Sequence, residues 1–256
     1  MSIRVSARVV EREARVFSRL WRGSVFSSFV TPVLYLGAMG VGLGGIVDAR
    51  NRSIEGLSYL VFVTPGLMAA GAVMSSSGES LWPILSGFKW MRHYEAMSAA
   101  VPRPADIYDG VVAWLGCHVA ISASAFLAVA ALLGGVQSGW APLAVPAAVL
   151  GALAISAPLA AFSATQESDA AFSPIMRLAV FPLFLFSGTF FPVSLLPDWS
   201  QWLVVLSPLW HAVELCRAAT TGNGSWVDLA HVAVLCACIA AGARWGHRTF
   251  TRRLAP

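Results

Sequence analysis

Apolar residues run along this chain in long blocks, and polar residues gather in a few short intervals between them. Blocks near the ~20 residues that cross a ~30 Å hydrocarbon core fall at roughly 25–46, 58–78, 107–134, 142–165, 172–191 and 226–246. The pattern predicts an all-α integral membrane fold with six transmembrane helices. Ahead of the first block, Arg4, Arg8, Arg12, Arg15, Arg19 and Arg22 are spaced by three or four and form one stripe. Ile3, Val9, Val10, Val16, Phe17, Leu20 and Trp21 supply apolar surface beside it. This predicts an amphipathic interfacial helix over 1–24, lying on an anionic leaflet, and a six-span domain over 25–256. The charged stretch is longer than a signal n-region and no clean small-x-small site follows it, so a cleaved signal is not expected.

Two intervals break the alternation of spans and connectors. Residues 79–106 are amphipathic, mixed in charge, and end in Pro102-Arg103-Pro104. A short helix over Tyr94–Ala99, presented to the cytosol, is expected there, because so long a connector between packed spans is unusual without a task. The second interval, Phe181 to Arg217, opens as a phenylalanine-rich membrane run and breaks at Gly188, Pro192 and Pro197 without turning polar. Two short helices are predicted after the breaks. Asp198 stands where it could cap the first, through Val205, and Ser207-Pro208 reads as a cap followed by a first-turn proline for the second. Leu209, Val213 and Cys216 fall on one face of that helix and His211, Glu214 and Arg217 on another. The chain is thus expected to nearly cross the bilayer, break, re-enter briefly and lie amphipathically at the external surface. Irregular backbone at that depth survives only where protein or a water-filled cavity satisfies it.

Composition sharpens this picture. The 256 residues are 57% hydrophobic and 12% charged, too apolar for a soluble domain of this size. The net charge of +4 reads as a topology signal and not as a nucleic-acid surface. Arg and Lys are concentrated at the N-terminus, at Lys89, Arg92 and Arg103, and at Arg244, Arg248, Arg252 and Arg253. The opposite side carries Arg50, Arg52 and Arg217, and Arg177 sits near the start of span five. The bias places both termini in the cytoplasm. Trp21, Trp82, Trp140, Trp199, Trp202, Trp226 and Trp245 fall near span ends, as an aromatic belt would. Gly37, Gly40, Gly42, Gly44 and Gly45 offer a small-residue face at the end of span one. Cys117, Cys216, Cys236 and Cys238 show no metal spacing and read as small buried hydrophobes.

Candidate chemistry is sparse. There is no Gly-x-x-x-x-Gly-Lys-Ser/Thr loop, no His-Glu-x-x-His and no Gly-x-Ser-x-Gly. No catalytic set and no metal site are expected. His118 and His231 stand isolated within spans and read as packed, hydrogen-bonded side chains. Asp109 lies at the cytosolic start of span three, within reach of water. So little buried charge argues against an ion-coupled carrier and leaves the driving energy to come from a partner.

Three features together resemble the type-2 ABC exporter permeases: the charged N-terminal helix, the helix after span two, and the broken segment after span five. SGTFFPVSLLPDWSQWLVVLSPLWHAVELCRA is similar to the pattern in the branch that includes nodulation-factor (lipo-oligosaccharide) and drug-resistance permeases, and YEAMSAAVPRPADIYDG resembles the coupling region ahead of span three. Ala100-Val101-Pro102 departs from the Thr-Pro step of many members. The resemblance implies a bacterial inner-membrane permease, paired with a second permease subunit and driven by separate ATPase subunits that carry ATP and Mg. It implies that spans one, two and five line the pathway and that Tyr94, Glu95, Ala96 and Met97 form the coupling helix. It further implies that the segment bearing Asp198, Trp199, His211, Glu214 and Arg217 caps the exit. The cargo class would be an amphipathic drug, lipid or lipid-linked saccharide. A membrane enzyme, or a secondary transporter or channel, stands as the alternative.

Overall fold

A computed structural model of the chain describes residues 3–45, 56–100 and 103–255. Among these the fold is all-helical. Helix α1 is Ile3–Tyr35, widening into a π-helical turn at Leu36–Leu43. Helix α2 is Tyr59–Lys89, α3 is His93–Ser98, α4 is Ala105–Leu132 and α5 is Ala144–Ser163. Helix α6 covers Phe172–Phe186, α7 is Asp198–Val205, α8 is Pro208–Thr221 and α9 is Asp228–Leu254. Four of these, α2, α4, α5 (with the 3₁₀ turn that leads into it) and α9, are long and apolar enough to cross a membrane, and α6 is a shorter apolar helix.

Helix α2 is the most buried of these four, and it packs along α5. In its most apolar stretch 78% of residues are buried, against 33% in α4 and 22% in α9, so α4 and α9 turn most of their apolar surface outward. The core is built from small side chains. Ala144, Ala148 and Ala152 of α5 and Ala212 of α8 are fully buried beside Met68 and Val73 of α2. Alanine-rich faces let helices approach closely where lipid offers no competing hydrophobic gain.

Several expectations are corrected. Helix α2 continues to Lys89 instead of stopping near 78, which shortens the connector before α4. Prolines 65 and 83 lie inside it; Pro65 is buried within the bundle and Pro83 stands on its outer side. Helix α1 runs through residue 24 without a break, so the change of composition there is not a change of backbone. Its apolar side, expected against lipid, is taken up in part by α4. Val9 is buried in a cluster with Ile107, Tyr108 and Val111, Ser6 donates to the Asp106 carbonyl at 3.1 Å, and Phe17 packs edge-on against Trp114 at 5.8 Å. Arg8, Arg15 and Arg19 stay exposed, as the stripe requires. The glycine face of span one meets α2 at Gly40, where a Cβ would lie 2.3 Å from Leu60 Cδ1. Of the cysteines only Cys216 is buried; Cys238 is half-buried, and Cys117 and Cys236 sit on the outward faces of α4 and α9. The expected end of span one at 46, Arg50 and Arg52, and the Val101-Pro102 step lie outside the described residues.

Helix α6 stops at Phe186, short of 191. Pro182 has no amide hydrogen for the carbonyl four residues earlier, and the helix widens into π geometry over Met176–Val180 just before it. At Gly188 the backbone takes φ +76, the left-handed region that glycine enters without penalty, and the helical path ends.

Candidate coupling helix and exit-side clamp

The end of the bundle that carries α3 is organised by one tyrosine. Arg92, in the left-handed conformation at φ 49, turns the chain out of α2, and α3 begins at His93. Tyr94 then points back into the bundle, 4% exposed. Its ring lies 4.7 Å from Phe88 of α2 and 5.8 Å from Phe250 of α9, and Phe250 in turn packs edge-on against Tyr108 of α4 at 5.2 Å. Gly87 makes the socket possible, since a Cβ there would meet Tyr94 Cε2 at 2.3 Å. Burial pushes the Tyr94 phenol well above its ordinary range. The neighbouring His93 imidazole is held down at about 4, first by burial and then by the Arg12 charge of α1, so it is neutral near pH 7.

The four residues expected to couple divide by this geometry. Tyr94 is the anchor. Met97 is half-buried and packs on the same cluster. Glu95 and Ala96 face outward, with Glu95 Oε2 3.8 Å from Arg92 Nε. Arg253 pins the adjoining α5–α6 connection: its Nη1 donates to the carbonyls of Ala164 at 2.8 Å and Gln166 at 2.7 Å, and its guanidinium stacks on Phe88 at 4.6 Å.

At the other end, α7 and α8 form a helical hairpin. Helix α8 does not lie along a surface. It runs beside α5 into the bundle, with Ala212 against Gly151, Cys216 Sγ 3.5 Å from the Ala144 carbonyl and the Thr220 carbonyl accepting from Gln137 N at 3.0 Å. The reason is its apolar face: Leu209, Val213 and Cys216 are fully buried. The opposite stripe is also turned inward. Arg217 Nη2 donates to the Gly188 carbonyl at 2.8 Å, Nη1 meets Glu214 Oε1 at 2.5 Å, and the guanidinium stacks over Phe62 of α2 at 4.6 Å. One side chain therefore satisfies the carbonyl freed where α6 breaks, ties it to α8 and rests both on α2. The Ser187 and Thr189 hydroxyls lie 2.9 Å apart beside it.

The expected caps differ. Asp198 is the first residue of α7 but caps nothing with its side chain; Gln201 Nε2 reaches it at 3.4 Å and the Leu196 carbonyl at 2.9 Å. Ser207 holds the cap position of α8 with extended backbone and Pro208 follows it, yet its hydroxyl bonds no helix amide. Trp199, 71% exposed, stands on the outer face of α7.

The family model for "ABC-2 type transporter" matches residues 8–220. The chain belongs to the ABC-2 type transporter family. Its matched relatives include Nodulation protein J of Rhizobium leguminosarum bv. trifolii, 30% identical over 83% of this chain and 80% of that one. Nodulation protein J of Rhizobium leguminosarum bv. viciae is 28% identical over 83% and 81%. The Inner membrane transport permease YadH of Escherichia coli K12 is 24% identical over 82% and 80%. The matched span contains α3, α7 and all of α8 but its last residue, Thr221. Family membership and the apolar helices together make this a multi-pass membrane protein and a component of a transporter.

Sequence reasoning missed the pairing of the buried and half-buried ionisable groups. His118 Nδ1 lies 2.8 Å from Glu79 Oε1 and stacks on Trp114. His231 Nδ1 lies 2.6 Å from His211 Nδ1, with Trp210 against both rings. Asp109, expected at water, is 2.6 Å from His247 Nε2. Each partner comes from a helix distant in sequence, and no local spacing signals it.

Proposed function

We propose that this chain is the transmembrane permease subunit of an ATP-driven exporter, moving an amphipathic drug, lipid or lipid-linked saccharide out of the cytoplasm. Family membership supports the transporter role, and one relative's name, Inner membrane transport permease, supports a permease of the inner membrane. A separate ATPase subunit supplies ATP and Mg chemistry. A second permease subunit completes the pathway; exposed Leu178, Leu185 and Leu206 offer apolar surface for it. Six spans with both termini cytoplasmic are the topology that accords with the charge bias, in a bacterial inner membrane.

The observation that carries this reading is the Tyr94 anchor. A force applied to the exposed side of α3, at Glu95 and Ala96, reaches α2 through Phe88, α9 through Phe250 and, through Phe250, Tyr108 of α4. Asp198, Trp199, His211, Glu214 and Arg217 belong to the exit hairpin, where they hold structure and do no chemistry. The test is reconstitution with a phosphate-loop ATPase and measurement of ATP-dependent export. Glu95→Arg is expected to uncouple or detach the ATPase, a loss on the ~2 kcal/mol scale of a broken charge contact. Unchanged stimulation of ATP hydrolysis in both Glu95→Arg and Met97→Asp would place the contact elsewhere. For topology, cysteines at Ser138 and Gly224 should label from outside and one at Ser86 should not.

The Glu79–His118 pair favours one alternative, proton-coupled secondary transport. Export driven by an imposed pH gradient in ATP-free vesicles would support it; export that needs ATP and survives collapse of the gradient would exclude it.

A further inference from the structure

Helix α6 and the descending helix α7 diverge around a cavity of about 420 Å³. Leu183 and Phe186 form one wall and Trp199, Leu203 and Val204 the other, with no charged side chain in the lining. At the junction of α7 and α8, Ser207 also lines it. Ser207 is 5% exposed, and its hydroxyl has no hydrogen-bond partner among the described residues. That is unexpected twice over. A serine at a helix N-cap ordinarily accepts from a first-turn amide, and a buried hydroxyl left unpaired is costly. Both points are accounted for if a ligand supplies the partner.

We propose that this cleft binds the alkyl chain of the exported amphiphile, with the Ser207 hydroxyl bonding an amide or hydroxyl carried beside that chain. The volume is at the small end for ligand pockets, which suits one chain and not a bulky ring system. The uncharged aliphatic and aromatic walls suit a chain, and the single unpaired hydroxyl selects among chains by their attached polar group. Phe186, Trp199 and Leu203, each at least 48% exposed, line the open side, through which a chain can enter laterally from the bilayer. The inference rests on the exporter reading and narrows its cargo from amphiphiles in general to chain-bearing ones.

The experiment uses the full chain in phosphatidylcholine nanodiscs and, as probe, N-(2-hydroxyethyl)hexadecanamide with a diazirine near the chain end. Illumination is expected to label peptides 181–187 and 196–207 well above the other lipid-facing helices. Unlabelled hexadecanamide analogue should compete and the octanamide analogue should not. A hexadecyl ether lacking the amide should compete about 5-fold less well, the factor for one net hydrogen bond, and Ser207→Ala should erase that difference. Leu203→Trp fills the cleft and should abolish labelling; should it misfold, the chain-length and amide comparisons on the unmodified protein still decide. Equal labelling by a diazirine phosphatidylcholine that the amide cannot displace would mean a resident bilayer lipid and overturn the proposal. Cross-links from these peptides to a second copy of the chain, or label spread evenly over the exposed helices, would overturn it as well. Labelling needs no ATP, so a failure of ATP-driven export with labelling intact would sink the exporter reading alone.

Discussion

The two ends of this molecule hold irregular structure in opposite ways. At one end α3 is fastened by aromatic packing: Tyr94 in its socket, Phe88 and Phe250 around it, and a bare outer face. At the other end the α6 break and the α8 helix are fastened by one guanidinium that meets a carbonyl, a carboxylate and a ring. Dispersion contacts weaken gradually as rings slide, whereas a partly buried charge either keeps its partners or is left unpaired at high cost. The aromatic end therefore tolerates small displacements, and the charged end holds until its partners are lost together.

The sharpest break of this contrast is Arg217→Ala. It strands Glu214 and the Gly188 carbonyl, and a loss of about 3–5 kcal/mol is expected, read as a lower unfolding midpoint in detergent together with new protease cleavage near 187–197. Arg217→Lys keeps the charge but not the two-armed reach and should recover only part of it. Tyr94→Ala empties the socket and is expected to cost about 3 kcal/mol. The loss should appear as faster amide exchange confined to α3 and the ends of α2 and α9, with the exit hairpin unchanged.

Acid sharpens the same comparison. The His93 imidazole titrates at about 4 against an ordinary 6.5, so the folded state favours its neutral form. The stability it contributes is complete above pH 6.5 and is lost as pH falls from there toward 4. Protection of the α3 amides, taken relative to the intrinsic exchange rate at each pH, should fall between pH 6.5 and 5, and His93→Gln should flatten that dependence. The smallest effect belongs to Glu95→Arg, whose contact with Arg92 is exposed: stability within about 0.5 kcal/mol of the parent, with any large consequence confined to coupling.

Much of this was legible in the sequence. The cores of the expected second, third, fourth and sixth spans all fall within helices, and Tyr94–Ala99 and the Pro197 and Ser207-Pro208 helix starts lie where local signals put them. Local signals could not give the length of α2, because Pro83 and the polar run Ser75–Ser80 look like an ending. The helix continues because the hydroxyls of Ser75, Ser76 and Ser80 turn back onto its own carbonyls at Ala72, Val73 and Ser77, and Glu79 meets His118. The direction of α8 was also hidden. Its amphipathic spacing fits an interface or a two-sided interior equally well, and only the depth at which Gly188 needs a donor distinguishes them. Likewise Tyr94 read as part of a presented surface, since nothing nearby in the chain announces Phe250.

Both fastenings bear on α2. Phe62 lies under Arg217, and Gly66 sits against the Thr189 backbone; one helix length away, Gly87 holds Tyr94. Phe62 and Gly87 are ~38 Å apart at 1.5 Å per residue, on an unbroken helix of 31 residues. Pro65 and Pro83 each stand within about a turn of one of the two fastenings. One continuous helix thus carries both the aromatic socket and the arginine clamp, a shaft fitted at either end.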